Sequence, residues 1–153
     1  MGEPWDDERI AAFGLFVEAF ASVLARVEGE LDGAAGVPVT WLEVLVRLAR
    51  TPDRRLRMAE LARQVGLSTS GLTRLVDRVE AAGYVRRESC ATDRRGAHAV
   101  LTAPGEQLLR TALPPYLGSI QTHLTGPLGA DLAIFERLLR TLRDANRSGD
   151  CPG

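Results

Sequence analysis

Between positions 10 and 31, apolar residues recur at alternating steps of three and four: Ile10, Phe13, Val17, Phe20, Leu24, Val27 and Leu31. This is a heptad seam, the pattern of a helix that packs lengthwise against another. A second row, Ala12, Phe16, Ala19 and Val23, runs beside it. A helix with two apolar rows needs cover on two sides. A chain of 153 residues makes one compact unit or two closely fused halves. It covers one row itself and leaves the other to a second copy; the alternative is a helix buried at the centre of a single protomer. The predicted helix spans 6–32.

Gly33, Gly36 and Pro38 break the chain after it. Thr40 and Glu43 have capping-box spacing, with Val39 and Val44 as a hydrophobic staple, so a second helix is expected to start at Thr40. Leu42, Leu45, Val46 and Ala49 form its stripe, and Thr51-Pro52-Asp53 ends it. An extended piece, Leu56-Arg57, leads into a short helix over 59–65. Gly66 suits the left-handed position that closes that helix. Ser68 caps a further helix running to about Ala82, with Leu72, Leu75, Val76 and Val79 inward, and Gly83 ends it.

The periodicity then shortens. Residues 84–88 and 97–101 read as strands, with a turn composition at 93–96, giving a β-ribbon around a basic tip. Thr102 caps a helix carrying Leu108, Leu109, Ala112 and Leu113. Pro114-Pro115 is expected to kink or interrupt it before it resumes over 116–124. Gly126-Pro127 reads as a turn. A last helix over 131–146 carries Leu132, Phe135, Leu138, Leu139 and Leu142, and 148–153 reads as a disordered tail. Aromatics are only 5% of the chain, so the core is built from Leu, Val, Ile and Ala. The fold class is therefore mainly α with a small β-wing.

Charge is unevenly placed. From Arg54 to His98 stand ten arginines and five acids (Glu60, Asp77, Glu80, Glu88 and Asp93), a net of +5. The whole chain carries −1, so the remainder is at −6. A basic centre with acidic flanks fits a local phosphate-binding surface. The first nine residues are acidic, unlike a signal peptide, and no uninterrupted apolar run approaches a membrane span, so a cytoplasmic protein with no membrane partner is expected. Cys90 and Cys151 make no disulfide framework, and neither they nor His98 and His123 show metal-ligand spacing. No nucleophile triad, phosphate loop or paired carboxylates are present, so neither an enzyme nor a bound cofactor is expected.

Helix, glycine-containing turn, capped second helix and basic β-ribbon follow one another in the order of a winged helix-turn-helix. The inward row of the second helix leaves Thr69, Ser70, Thr73, Arg74, Asp77 and Arg78 outside, short polar groups and arginines suited to base edges and phosphates. Gly71 would let the backbone approach closely. An ordinary amphipathic surface helix accounts for each residue singly; the turn and the ribbon together favour the DNA reading.

Three segments resemble the MarR family: 58–68 (MAELARQVGLS), 72–85 (LTRLVDRVEAAGYV) and 93–102 (DRRGAHAVLT). Asp93, Arg95, Leu101, Thr102 and Gly105 match that family's wing pattern. The resemblance implies a dimeric, sequence-specific DNA-binding transcriptional regulator acting as a repressor on a palindromic operator in double-stranded DNA. It implies a helical dimerisation region at 1–37 and 103–147 and a DNA-binding lobe at 38–102. The recognition helix, 68–82, enters the major groove through Ser68, Thr69, Ser70, Thr73, Arg74 and Arg78. The wing, 88–98, enters the minor groove with Asp93, Arg94 and Arg95, where a narrow groove concentrates negative potential. It also implies a pocket, lined by Phe16, Phe20 and Trp41, for a small aromatic or anionic effector that releases the protein from DNA. Two positions depart from the family: Met58 stands where a Ser or Thr cap is common, and Pro114-Pro115 falls in a helix that is usually continuous. The family's oxidant-sensing branches carry a cysteine in the first helix, where this chain has none. The alternative reading is a winged-helix module that binds protein and not DNA, but such a module has no need of Arg94, Arg95 and the local charge of +5.

Overall fold

The computed structural model describes residues 3–90 and 93–147, apart from the side chains of Pro4, Cys90, Asp93, Arg94 and Arg95. The tail expected at 148–153, with Cys151, lies outside the described residues. Helix α1 (Glu8–Ala35) begins at Asp7, whose carboxylate accepts the Arg9 amide at 2.8 Å. It runs through Gly33 and ends at Gly36, where φ is 62°. The helix therefore outlasts the predicted limit at 32: an interior glycine costs only about 1 kcal/mol, and Gly36 is the first residue to turn left-handed.

Helix α2 (Val39–Ala49) corrects the expected capping box. Its N-cap is Pro38, and no side chain caps it. The fixed φ of Pro38 starts the helix at Val39, which puts Thr40 inside the first turn. Glu43 is used elsewhere: it accepts the Tyr116 hydroxyl and pairs with Arg47 at 3.0 Å. Strand β1 (Arg55–Arg57) then leads to α3 (Met58–Val65), whose cap position is Arg57, with no side-chain cap, and not Met58. Gly66, at φ 71°, turns the chain into α4 (Thr69–Ala81), capped by Ser68.

Strands β2 (Val85–Cys90) and β3 (Asp93–Leu101) pair antiparallel, and β1 pairs with the other edge of β3, giving the order β1-β3-β2. The wing is thus a three-stranded sheet, one strand more than the expected ribbon. Residues 93–96 belong to β3 and are not a turn: the ladder continues to Cys90 opposite Asp93, with a register shift at Ser89/Cys90. Extending the ladder pairs backbone groups that a turn leaves to water.

Helix α5 (Ala103–Ile120) passes through Pro114 and Pro115 without interruption, against expectation. The two prolines deprive the carbonyls of Arg110 and Thr111 of their helical donors. Both residues are exposed, so the lost bonds fall on a turn that solvent can reach. A π-helical turn, Gln121–Thr125, follows, then short α6 (Gly126–Leu128), a 3-10 turn (Gly129–Asp131) and α7 (Leu132–Arg147). Gly126-Pro127 is thus helical and not a turn. The ring of Pro127 would crowd the carbonyl of His123 in a regular helix, and His123 lies in the wider π turn. The reversal comes at Gly129, with φ 50° and ψ −119°.

Leu42, Leu45, Leu48, Leu61, Val76 and Val79 are fully enclosed where α2, α3 and α4 meet the sheet, and the C-terminal half of α1 joins the same core through Val27 and Leu31. The rest of α1 is uncovered: Phe13 is 69% exposed and Phe20 62%. No residue of α7 is buried, and Ile134, Leu138, Leu139 and Leu142 face outward. By length and composition α1 also passes for a membrane span, correcting the expectation that no apolar stretch comes near one; its charged interruptions at Glu18 and Arg26 had hidden that.

Candidate nucleic-acid interface

Helix α4 starts cleanly because Ser68 Oγ accepts the Gly71 amide at 3.1 Å. Leu72, Leu75, Val76 and Val79 are buried, which divides the remaining surface into two stripes. Thr69, Thr73, Asp77 and Glu80 form one, Ser70, Arg74 and Arg78 the other. The first stripe adjoins β2. Arg87 of β2 contacts Asp77 at 2.6 Å and the Thr73 carbonyl at 3.1 Å, and the Thr73 hydroxyl donates to the Thr69 carbonyl at 2.9 Å. The second stripe is exposed, and neither Arg74 nor Arg78 has an ion pair or side-chain hydrogen bond among the described residues.

The net charge of +5 is therefore distributed in a way that composition does not show. Arg54 pairs with Glu106, Arg63 with Glu60, Arg86 with Glu88, Arg55 with Glu88 at 3.6 Å, and Arg87 with Asp77. Arg57 is also engaged. Arg74 and Arg78 stand out as cations presented to solvent on one helix face. The expected wing residues Asp93, Arg94 and Arg95 lie in β3 with side chains outside the described set.

The junction behind the wing explains the Leu101-Thr102 and Gly105 pattern. Thr102 Oγ1 donates to the Gly83 carbonyl at 2.7 Å and accepts the Gly105 amide at 3.2 Å, and its backbone amide donates to the Tyr84 carbonyl at 3.1 Å. A Cβ on Gly105 would overlap the Tyr84 carbonyl and Leu101. The end of α4, the base of the wing and the start of α5 are thus fastened at one point. Arg54, at φ 52°, is the one non-glycine with positive φ among the described residues. Its carbonyl accepts the Leu101 amide at 3.0 Å and its guanidinium holds Glu106, which fixes a backbone conformation that costs about 1–3 kcal/mol. Hydrogen bonds from Arg110 and then Arg54 hold the Glu106 carboxyl below the usual range.

Of the residues expected to line a ligand pocket, Trp41 sets its ring edge-on to Tyr84, centroids 6.0 Å apart, at the base of the wing. Phe16 and Phe20 are exposed on α1. A cavity of about 210 Å³ lies elsewhere, between α2 and α5, lined by Ala49, Arg54, Glu106, Leu109, Arg110 and Leu113, and includes none of the three aromatics. Near it Tyr116 spans from α5 to Glu43 of α2; burial first, then the Glu43 carboxylate, raise its phenol far above the ordinary value. His123 Nε2 lies 2.6 Å from Glu30. These pairs join residues far apart in sequence, and the only trace of the Arg87 contacts was the i, i+4, i+7 spacing of Thr73, Asp77 and Glu80.

A three-helix core closed by a three-stranded sheet, with the capped second helix of a helix-turn-helix exposed beside it, defines a winged helix-turn-helix protein. Residues 35–96 match the model of the MarR family. The structure resembles two Streptomyces coelicolor MarR family transcriptional regulators. One is Sco3205, solved in complex with DNA, at a TM-score of 0.85 and 29% identity, covering 95% of this chain and 92% of that one. The other is AbsC, at a TM-score of 0.82 and 31% identity, covering 93% and 96%. The transcriptional repressor MprA of Escherichia coli K12 is 33% identical over 94 residues, 61% of this chain; the match spans about half of that relative's length, 53%. The chain belongs to the MarR family of transcriptional regulators, and so to a family of regulators and not of enzymes.

Proposed function

We propose that the protein is a homodimeric, sequence-specific DNA-binding repressor that reads a palindromic operator. The observation that carries this reading is the Ser70–Arg74–Arg78 stripe of α4, which keeps two arginines available while Arg54, Arg55, Arg63, Arg86 and Arg87 are paired within the protein. Ser68 and Thr69, at the helix start, add hydroxyls and free amide groups where a phosphate is best received. Thr73 flanks the stripe. Arg94 and Arg95, with Asp93 beside them, belong to the wing that follows the adjacent minor groove. That Sco3205 was solved in complex with DNA supports DNA as the partner.

Dimerisation is supported by what the protomer leaves uncovered. The N-terminal half of α1 lies open to water, as do Ile134, Leu138, Leu139 and Leu142 of α7. An isolated 16-residue helix is marginal in water, so α7 needs a partner surface to persist. A second copy supplies one through residues 1–37 and 103–147, leaving 38–102 as the DNA-binding lobe. The cytoplasm, where its DNA lies, is the compartment of such a regulator. A small aromatic or anionic effector wedged near Trp41, with Phe16 and Phe20 of the dimer helices, would favour one lobe spacing over another and release the DNA. A gel shift against the DNA upstream of its own coding region, with excess nonspecific DNA, tests the reading. A shifted band that survives the competitor is expected; a band lost equally to any DNA refutes sequence specificity.

A further inference from the structure

Arg87 lies midway along β2, opposite Ala99 of β3, and its side chain turns to α4. Its backbone amide donates to Glu80 Oε1 at 2.8 Å. Its guanidinium reaches Asp77 Oδ1 at 2.6 Å, the Thr73 carbonyl at 3.1 Å and Glu80 Oε2 at 3.9 Å. Thr73, Asp77 and Glu80 follow one another at i, i+4 and i+7, so one strand residue grips two turns of one helix face. The Arg87 Nε is buried without a partner, so the group forgoes one hydrogen bond to hold this geometry.

The charge of Arg87 is thus spent inside the protein, unlike that of Arg74 and Arg78. Its effect is mechanical. The strand that carries the wing and the helix that carries the reading stripe are tied at a fixed angle. A reader that uses a major groove and the neighbouring minor groove needs that angle, because the duplex sets the offset between the two. We propose that Arg87, held by Asp77 and Glu80, is a positioning residue that fixes the wing against α4 and so sets sequence discrimination without itself contacting phosphate. This rests on the DNA-binding reading above.

The test compares wild type, Arg87→Met and Asp77→Asn. The probes are the duplex that wild type selects from a randomised pool and the unselected pool itself, each over a salt series. Both variants should lose about tenfold or more on the selected duplex and less than about threefold on the pool, with an unchanged salt slope, whereas a lost phosphate contact lowers the slope by about one. Asp77→Asn removes a half-exposed negative charge from beside the DNA, so a bystander Asp77 would give tighter binding to both probes. That tightening overturns the proposal, as does an Arg87→Met variant with a slope lowered by one and equal losses on both probes. Amide hydrogen exchange without DNA supplies a second measurement. Exchange across 73–80 should quicken in both variants, and unchanged exchange in Asp77→Asn, which leaves the core intact, overturns the clamp. If wild type selects no duplex, the DNA-binding reading fails and the proposal falls with it. If wild type selects and both variants discriminate equally well, the proposal alone falls.

Discussion

Arg74 and Arg95 carry the same charge, and the proposed function gives them different work. Arg74 stands on the open stripe of α4 with no ion pair or side-chain hydrogen bond among the described residues, which leaves its guanidinium available to a base edge in the proposed reading. Arg74→Ala should cost about 1–3 kcal/mol on the selected duplex and relax preference at one position. Arg95→Ala should weaken all binding and reduce the salt slope by about one unit. Titrations of selected and random duplexes at several salt concentrations separate the two; equal losses for Arg74→Ala would assign it to phosphate. Gly105 shows why a glycine stands in the wing pattern: a Cβ there meets the Tyr84 carbonyl. Gly105→Ala should lower stability by about 1–3 kcal/mol in a denaturant titration, and a neutral result would mean the junction is looser than described. Glu106 titrates below the usual range because Arg110, then Arg54, stabilise its charged form. A depressed folded-state value contributes stability that is present above the unfolded value and lost as pH falls through the folded one. Glu106→Gln should therefore flatten the acid limb of stability below about pH 4.5 and leave its neutral plateau shape unchanged, as thermal melts across pH would show.

The elements with the strongest local signals were legible in the sequence. Gly66, the Ser68 cap and the buried stripe of α4 place the helix-turn-helix within a residue of its structural bounds. Elements governed by distant partners were not. Glu43 looked like half of a capping box because its true partner, Tyr116, lies 73 positions away. Pro114 and Pro115 looked like a break because local rules do not say that the turn losing its bonds lies at exposed Arg110 and Thr111. The wing turn was placed at 93–96 on composition, whereas pairing with β2 extends the strand to Asp93. The basic patch was visible, but which arginines remain unpaired depends on Glu88, Glu106 and Asp77 arriving beside them. Helix α7 carries the clearest element-scale expectation. Leu138 and Leu142 are exposed in the protomer, so replacing both with Glu costs the protomer core nothing. In light scattering the double variant should run as a monomer, with helical content lost from α7 by circular dichroism. A variant that stays dimeric would move the interface elsewhere.

For the whole molecule, the proposed function divides the labour: the acidic helical flanks would hold two copies together and the basic lobe would meet DNA. Each protomer leaves apolar surface on α1 and α7, in the two flanks, and cationic surface on α4 in the basic centre between them. In a two-fold dimer one reading helix would become two, and the target a palindrome with half-sites roughly one turn, about 10 bp, apart. The most direct test is footprinting of the selected duplex together with the native mass of the complex. The account predicts two chains on one duplex, protecting two symmetric half-sites about 10 bp apart. A single chain on an asymmetric site, or protection without a preferred sequence, would contradict it.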